Sequence, residues 1–129
     1  MMVSELAKGI TESCDVSKWD HSLRQVVGVI AFSIHAQIMG LKGYLLKVYN
    51  CVRNYTLTMP LYHPSLKYKY RTSGVMSGSG HTTSLNTTCL WIIEHCALFD
   101  LCSKQGESIY DKRYFLYVSG DDSVICTRD

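Results

Sequence analysis

Polar and apolar positions alternate loosely along "LAKGITESCDVSKWD", which predicts a strand from about Gly9 to Val16. The period then changes. "HSLRQVVGVIAFSIHAQIMG" places its apolar residues on one helical face and stops at Gly40. "YLLKVYNCVRNY" is compatible with either period and is read as a helix, after which Pro60 and Pro64 break the chain. "KYKYRT" predicts a strand, and "SGVMSGSGH" predicts a loop, with three glycines and three serines in nine residues. From Thr82 to about Cys102, Leu85, Cys89, Ile92, Ile93, Cys96 and Phe99 mark one helical face. "YFLYV" and "SVIC" read as strands joined by a tight turn at Gly120-Asp121. The order strand, helices, strand, helix, hairpin is that of an α+β domain with helices packed on an antiparallel sheet. Neither a repeat nor a linker divides it, so 1–129 is expected to be one domain.

Composition changes this picture little. With 47% apolar residues the chain can build a core, and disorder is excluded. A net charge of +2 does not announce a nucleic-acid binder. Lys67, Lys69 and Arg71 alternate with Tyr68 and Tyr70, which gives an extended segment one basic face; taken alone, this reads as a solvated edge. The six cysteines include no CxxC pair and no secretion signal precedes them, so Cys89, Cys96 and Cys102 are read as core thiols. Glu94, His95 and Cys96 are consecutive, point different ways on a helix, and do not converge on one zinc. No formal charge interrupts Gln25 to Leu41, but the run is shorter than the roughly 20 residues of a membrane span and carries Gln25, Ser33, His35 and Gln37. It is read as a buried amphipathic helix.

Three polar groupings carry candidate chemistry. The first is "DVSKWD", in which Asp15 ends the first strand and Asp20 begins the next helix. A carboxylate at a helix start also serves as a plain cap for free N–H groups. The second is "SGVMSGSGHTTSLNT". Its glycines let backbone approach a ligand, and no Lys-Ser or Lys-Thr pair follows to make a Walker loop. Thr82 and Asn86, four apart on the following helix, share the face beneath that loop and suit hydrogen bonding to a small polar ligand. The third is "YVSGDDSV", where Asp121 and Asp122 interrupt an apolar run expected to be buried. Buried like charges need a compensating cation. If Asp15 and Asp121 project from neighbouring strand ends, a hard divalent ion is that cation, since Mg²⁺ takes one or two carboxylates plus substrate phosphates. A two-metal site stabilises both the attacking and the leaving oxygens of a phosphoryl displacement.

With these residues in place the chain resembles the palm of viral RNA-dependent RNA polymerases, most like those of positive-strand RNA viruses. The family's motif A, D-x4-D, matches Asp15 and Asp20; motif B, S-G-x3-T-x3-N, matches Ser77, Gly78, Thr82 and Asn86; motif C, G-D-D, matches Gly120, Asp121 and Asp122. Ser73-Gly74 fails the motif B register because Gly78 then takes the place of the Thr. The resemblance spans nearly the whole chain and implies a polymerase palm with a ferredoxin-like core, shared with RRM modules. It implies that Asp15 and Asp121, assisted by Asp122, bind two Mg²⁺ or Mn²⁺ ions, and that Asp20 and Asn86, helped by Ser77, Gly78 and Thr82, read the ribose of the incoming nucleotide.

The implied substrates are nucleoside triphosphates, an RNA template and the nascent strand. The implied partners are fingers and thumb regions and other viral replicase proteins, in a membrane-associated complex of the host cytoplasm. The family's basic triphosphate-gripping motif, its Lys-bearing motif after motif C, the primer grip and the thumb are not found, so the chain is expected to be a palm fragment of a larger replicase that is inactive alone. Two other readings compete. A reverse transcriptase-like palm is disfavoured by Ser119 before the Asp pair and by Asn86. A non-catalytic RRM-like module would read bases with Tyr114, Phe115 and Tyr117, but its signature is basic where "YFLYVSGDDS" is acidic. No loop has the alternating oxygen ligands of a calcium site.

Overall fold

The computed structural model describes residues 10–16, 19–65, 67–69, 80–108 and 113–128. It divides into two compact units: Lys18–Leu85, and Met1–Ser17 together with Asn86–Asp129. Helix α4 (Thr82–Lys104) begins in the first and continues in the second.

The helical unit holds the short α1 (Trp19–Ser22), α2 (Gln25–Ile38), α3 (Gly43–Thr58) and a two-stranded ribbon of β2 (Leu61–His63) and β3 (Lys67–Lys69). In α2 the buried positions Gly28, Ala31, Phe32 and Ala36 follow helical spacing. Capping contributes little to either long helix: Arg24 and Lys42 occupy the N-caps without a side-chain bond, and neither first turn has an acid. Packing does the holding. A Cβ on Gly28 would lie 2.6 Å from Leu57 Cδ2, so the missing side chain is what lets Leu57 seat there. The Gln25 amide donates to the Leu57 carbonyl at 3.1 Å, and the Phe32 and Tyr49 rings stand 5.4 Å apart. α2 stops as expected: Gly40 has φ +64°, and the Leu41 N–H reaches back to the Ala36 carbonyl. The prolines bracket a strand missed in the sequence: β2 pairs antiparallel with β3, and three residues are too few to display a period.

The sheet unit contains β1 (Ile10–Asp15), β4 (Arg113–Ser119) and β5 (Asp122–Arg128), antiparallel in the order β1-β5-β4. β5 is central, and Ser123 and Cys126 on it are buried. In this unit α4 buries Cys89, Leu90, Leu98 and Cys102. The predicted face of α4 therefore needs correction. Ile93, Cys96 and Phe99 are exposed, Phe99 at 62%. The buried stripe steps by four residues, and each such step overshoots one turn by about 40°. It thus winds away from the face read off the sequence. Of the three expected core thiols Cys89 and Cys102 are buried and Cys96 is not; burial pushes the Cys89 thiol up to about 12. All six cysteines are free. Among the described residues, no helix is long and apolar enough to cross a membrane.

Candidate active site

The sheet register decides which carboxylates meet. Asp15 is the last residue of β1, and its partner across the β1–β5 ladder is Asp122. Across the β4–β5 ladder the partner of Asp122 is Ser119. Paired positions point to the same face, so Ser119, Asp122 and Asp15 form a row across the three strands. The next row on that face is Tyr117, Val124 and Ser13. Asp121 stands in the turn beside the first row. Ser13, Tyr117, Ser119, Asp122 and Val124 of these rows line a groove of about 640 Å³; Asp15 is not part of its wall.

Asp121 stands in the turn expected at Gly120-Asp121, and Asp122, which interrupts an apolar run expected to be buried, opens β5; both are exposed, as is Asp15. The apolar run is real, but the turn carries the acids out of it. The cost that remains is mutual repulsion rather than desolvation, since like charges directly opposite on a sheet destabilise it. No ion pair among the described residues relieves it; the pair found there is Lys104 with Asp100 on α4. Among the described residues, no three His, Cys, Asp or Glu groups close into a metal cage. An open cluster of hard oxygens with free positions is nevertheless what a hydrated Mg²⁺ accepts, because that ion keeps several waters and substrate oxygens.

Two bonds hold the turn, and neither is visible in the local sequence pattern. The Gly120 N–H donates to Thr87 Oγ1 on α4 at 2.8 Å, and Gly120 has φ +64°, the left-handed conformation of a primed hairpin turn. On the opposite face of β5 from Asp122, the buried Ser123 hydroxyl donates to the Glu94 carboxylate. The partners are 33 and 29 residues apart, beyond any local pattern.

Thr82 and Asn86 lie one turn apart on α4, as expected. Thr82 is half-buried, whereas Asn86 is only 5% exposed and its Oδ1 has no partner among the described residues. Asp20 falls in α1, with its side chain outside the described set; Ser77 and Gly78 also lie outside the described residues. The structure thus pairs Asp15 with Asp122 across the ladder, with Asp121 in the adjoining turn, and leaves Thr82 and Asn86 one turn apart on α4.

Comparison with known proteins converges on one family. The family model described as viral RNA-dependent RNA polymerase matches residues 2–129. The crystal structure of the RNA-dependent RNA polymerase of a human picorbirnavirus is similar over 91% of this chain and 21% of its own, with a TM-score of 0.67 and 20% identity. An insertion-loop deletion mutant of the polymerase of a human picorbirnavirus is similar over 95% of this chain and 23% of its own, with a TM-score of 0.71 and 21% identity. At such identity the likeness is one of fold: the chain is an α+β polymerase palm, spanning 21–23% of the length of those enzymes. No curated protein sequence matches it.

Proposed function

This chain belongs to the viral RNA-dependent RNA polymerase family, and we propose that it is the catalytic palm, 1–129, of a larger replicase that joins ribonucleotides on an RNA template. The observation that carries this reading is the pairing of Asp15 with Asp122 beside a turn that holds Asp121. Acids from three chain positions meet at one sheet end, exposed and without a described counter-charge.

On this reading Asp15, Asp121 and Asp122 are the motif A and motif C acids, and they hold two Mg²⁺ or Mn²⁺ ions. Two such ions supply charge stabilisation to the attacking and leaving oxygens of a phosphoryl displacement. The chain's own contribution is position. Strand pairing fixes the separation of Asp15 and Asp122, and the groove beside them accepts the reacting ends of the nascent strand and the nucleoside triphosphate. By the motif resemblance, Asp20 and Asn86 read the ribose, helped by Ser77, Gly78 and Thr82. The buried, unpartnered Oδ1 of Asn86 favours this role, since a buried acceptor without a donor costs about 1–3 kcal/mol and a sugar hydroxyl supplies the donor.

The motif resemblance is to the positive-strand type, which this reading carries over. Fingers, thumb and other replicase proteins complete the machine, in a membrane-associated complex of the host cytoplasm. Primer extension by the full polymerase with Asp121→Ala tests the reading: extension should be abolished with Mg²⁺ and with Mn²⁺. Near wild-type elongation by that variant rejects the assignment.

A further inference from the structure

We propose that Thr87 and Glu94 of α4 are positioning residues that clamp the Asp121–Asp122 pair from both sides; this rests on reading those aspartates as the metal-binding pair. The clamp is defined by where its two bonds fall. One ends on Gly120, immediately before the acids, and the other on Ser123, immediately after them. Between the two anchored residues lie Asp121 and Asp122 alone.

Residues 87 and 94 are seven apart, so they share one face of α4, about 10 Å apart along the axis at 1.5 Å per residue. Gly120 and Ser123 flank the reversal of the hairpin, in which Ser119 pairs with Asp122 and Val118 with Ser123. Two posts on one helix face thus meet the two ends of the acidic step. Both posts suit the task. Thr87 presents a hydroxyl on a short side chain, which accepts the 2.8 Å bond from the Gly120 N–H. Ser123 is only 2% exposed, and strand alternation turns its hydroxyl away from Asp122 toward α4.

Glu94 is the more telling residue. Its second oxygen, Oε2, is buried without a partner among the described residues. An apolar side chain would fill that space without leaving an oxygen unsatisfied, so packing alone gives no reason for a carboxylate there. Holding Ser123 does. The clamp also answers the repulsion in the site. Without a cation, Asp15, Asp121 and Asp122 push one another apart, and a two-residue turn is the part free to yield. Anchoring both of its ends keeps the acids in their bound arrangement before any ion arrives, so less reorganisation accompanies binding.

The test uses the full polymerase with Thr87→Val, Thr87→Ser, Glu94→Leu and Glu94→Gln, alongside Asp121→Ala. Two properties are read: amide exchange of the 117–123 segment without metal, and the Mg²⁺ concentration for half-maximal extension together with kcat and nucleotide KM. Thr87→Val should speed exchange at Gly120 and raise the Mg²⁺ requirement by about three- to tenfold, the equivalent of one neutral hydrogen bond. Nucleotide KM should stay within about twofold, since uniform substrate binding is untouched. Thr87→Ser should restore both values, and Glu94→Leu should act like Thr87→Val while Glu94→Gln, which keeps an acceptor, does not. Unchanged exchange and Mg²⁺ requirement in Thr87→Val overturn the clamp. So does a lowered melting temperature with normal Mg²⁺ requirement, which marks a merely structural residue. Should Asp121→Ala still extend primers, the metal-site reading itself fails; should it be dead while Thr87→Val behaves as wild type, only the clamp fails.

Discussion

The two units expose opposite things. In the sheet unit the exposed acids Asp15, Asp121 and Asp122 lie at one sheet end, and the large exposed apolar residues among those described, Trp91, Ile93, Phe99 and Leu101, are on α4. In the helical unit many large apolar residues are exposed among polar ones such as Arg24, Lys42 and Lys47: Val26, Val29, Ile30, Ile38 and Met39 from α2 and its end, and Tyr44, Leu45, Val48, Val52 and Tyr55 from α3. On α3 those five fall at helical spacing, and the only buried residues of that helix are Thr56 and Leu57. An apolar band of that kind asks for a protein partner; a cluster of unpaired carboxylates asks for a cation. One unit is therefore expected to fail without further polypeptide, and the other without metal.

The strongest way to break this comparison is to ask whether the 129-residue chain works alone. It should not extend a primer at all. Phosphoryl transfer depends on positioning, and this chain spans only 21–23% of the polymerases whose fold it shares. It should bind Mn²⁺ weakly at best, because an open carboxylate site lacks substrate oxygens as ligands. Robust extension by the purified chain would show that neither unit needs what the comparison says it lacks.

A double dissociation sharpens the contrast. In the full polymerase, Asp15→Ala should cost roughly a thousandfold in rate, about 4 kcal/mol, while the melting temperature holds or rises without metal, since a repelling charge is removed. Leu57→Ala should do the reverse. Leu57 is 3% exposed and seats on Gly28, so its truncation should cost about 2–5 kcal/mol of stability. Thermal unfolding and single-turnover extension on both variants decide the matter; equal losses of rate and stability in each erase the distinction.

A smaller effect concerns sugar choice. Asn86→Ala or Asp20→Ala should narrow the preference for ribo- over deoxynucleotides by about ten- to hundredfold while lowering the overall rate, the worth of roughly 1–3 kcal/mol of hydrogen bonding. The ratio of kcat/KM for matched nucleoside triphosphates measures this. An unchanged ratio in both variants returns Asp20 to a helix cap and Asn86 to a core amide.

What could be read from the sequence follows the range of the interactions. β1, α2, the hairpin and the extent of α4 were legible because period, Gly40 and Gly120 are local signals. The exposed acids were legible as a group, since each stands where an apolar pattern breaks. The turn position of Asp121 was legible too, but the exposure of Asp122 was not, because an apolar run does not reveal that its first strand residue lies at the open end of the sheet. Asp15 and Asp121 were expected at neighbouring strand ends; the register, which makes Asp122 the partner of Asp15, is set by strands more than 100 residues apart. Thr87 and Glu94 were invisible for the same reason. The face of α4 was misread because its buried stripe winds, and a fixed helical period assumes that it does not. β2 was too short to have a pattern.

The smallest expected effect lies in the helical unit and turns on a histidine. His35, Ile38, Met39, Tyr49, His81 and Ser84 line a cavity of about 300 Å³, with the Phe32 and His81 rings 5.9 Å apart. Burial, and then the nearby His81, lower the His35 pKa from its ordinary value of 6.5. Burial likewise pushes the Tyr49 phenol up, so it stays neutral across this range. A group whose folded-state pKa is depressed favours the fold while it is uncharged. The contribution of His35 is therefore full above about pH 6.5 and is lost as pH falls through the lowered folded value. His35→Gln keeps a polar side chain and removes the titration. Unfolding followed from pH 7.5 down to 5 should show the wild-type protein losing more stability than His35→Gln, by a small margin because His35 is only partly buried. Parallel curves for the two proteins would mean that the cavity opens readily enough for His35 to titrate as it does in water.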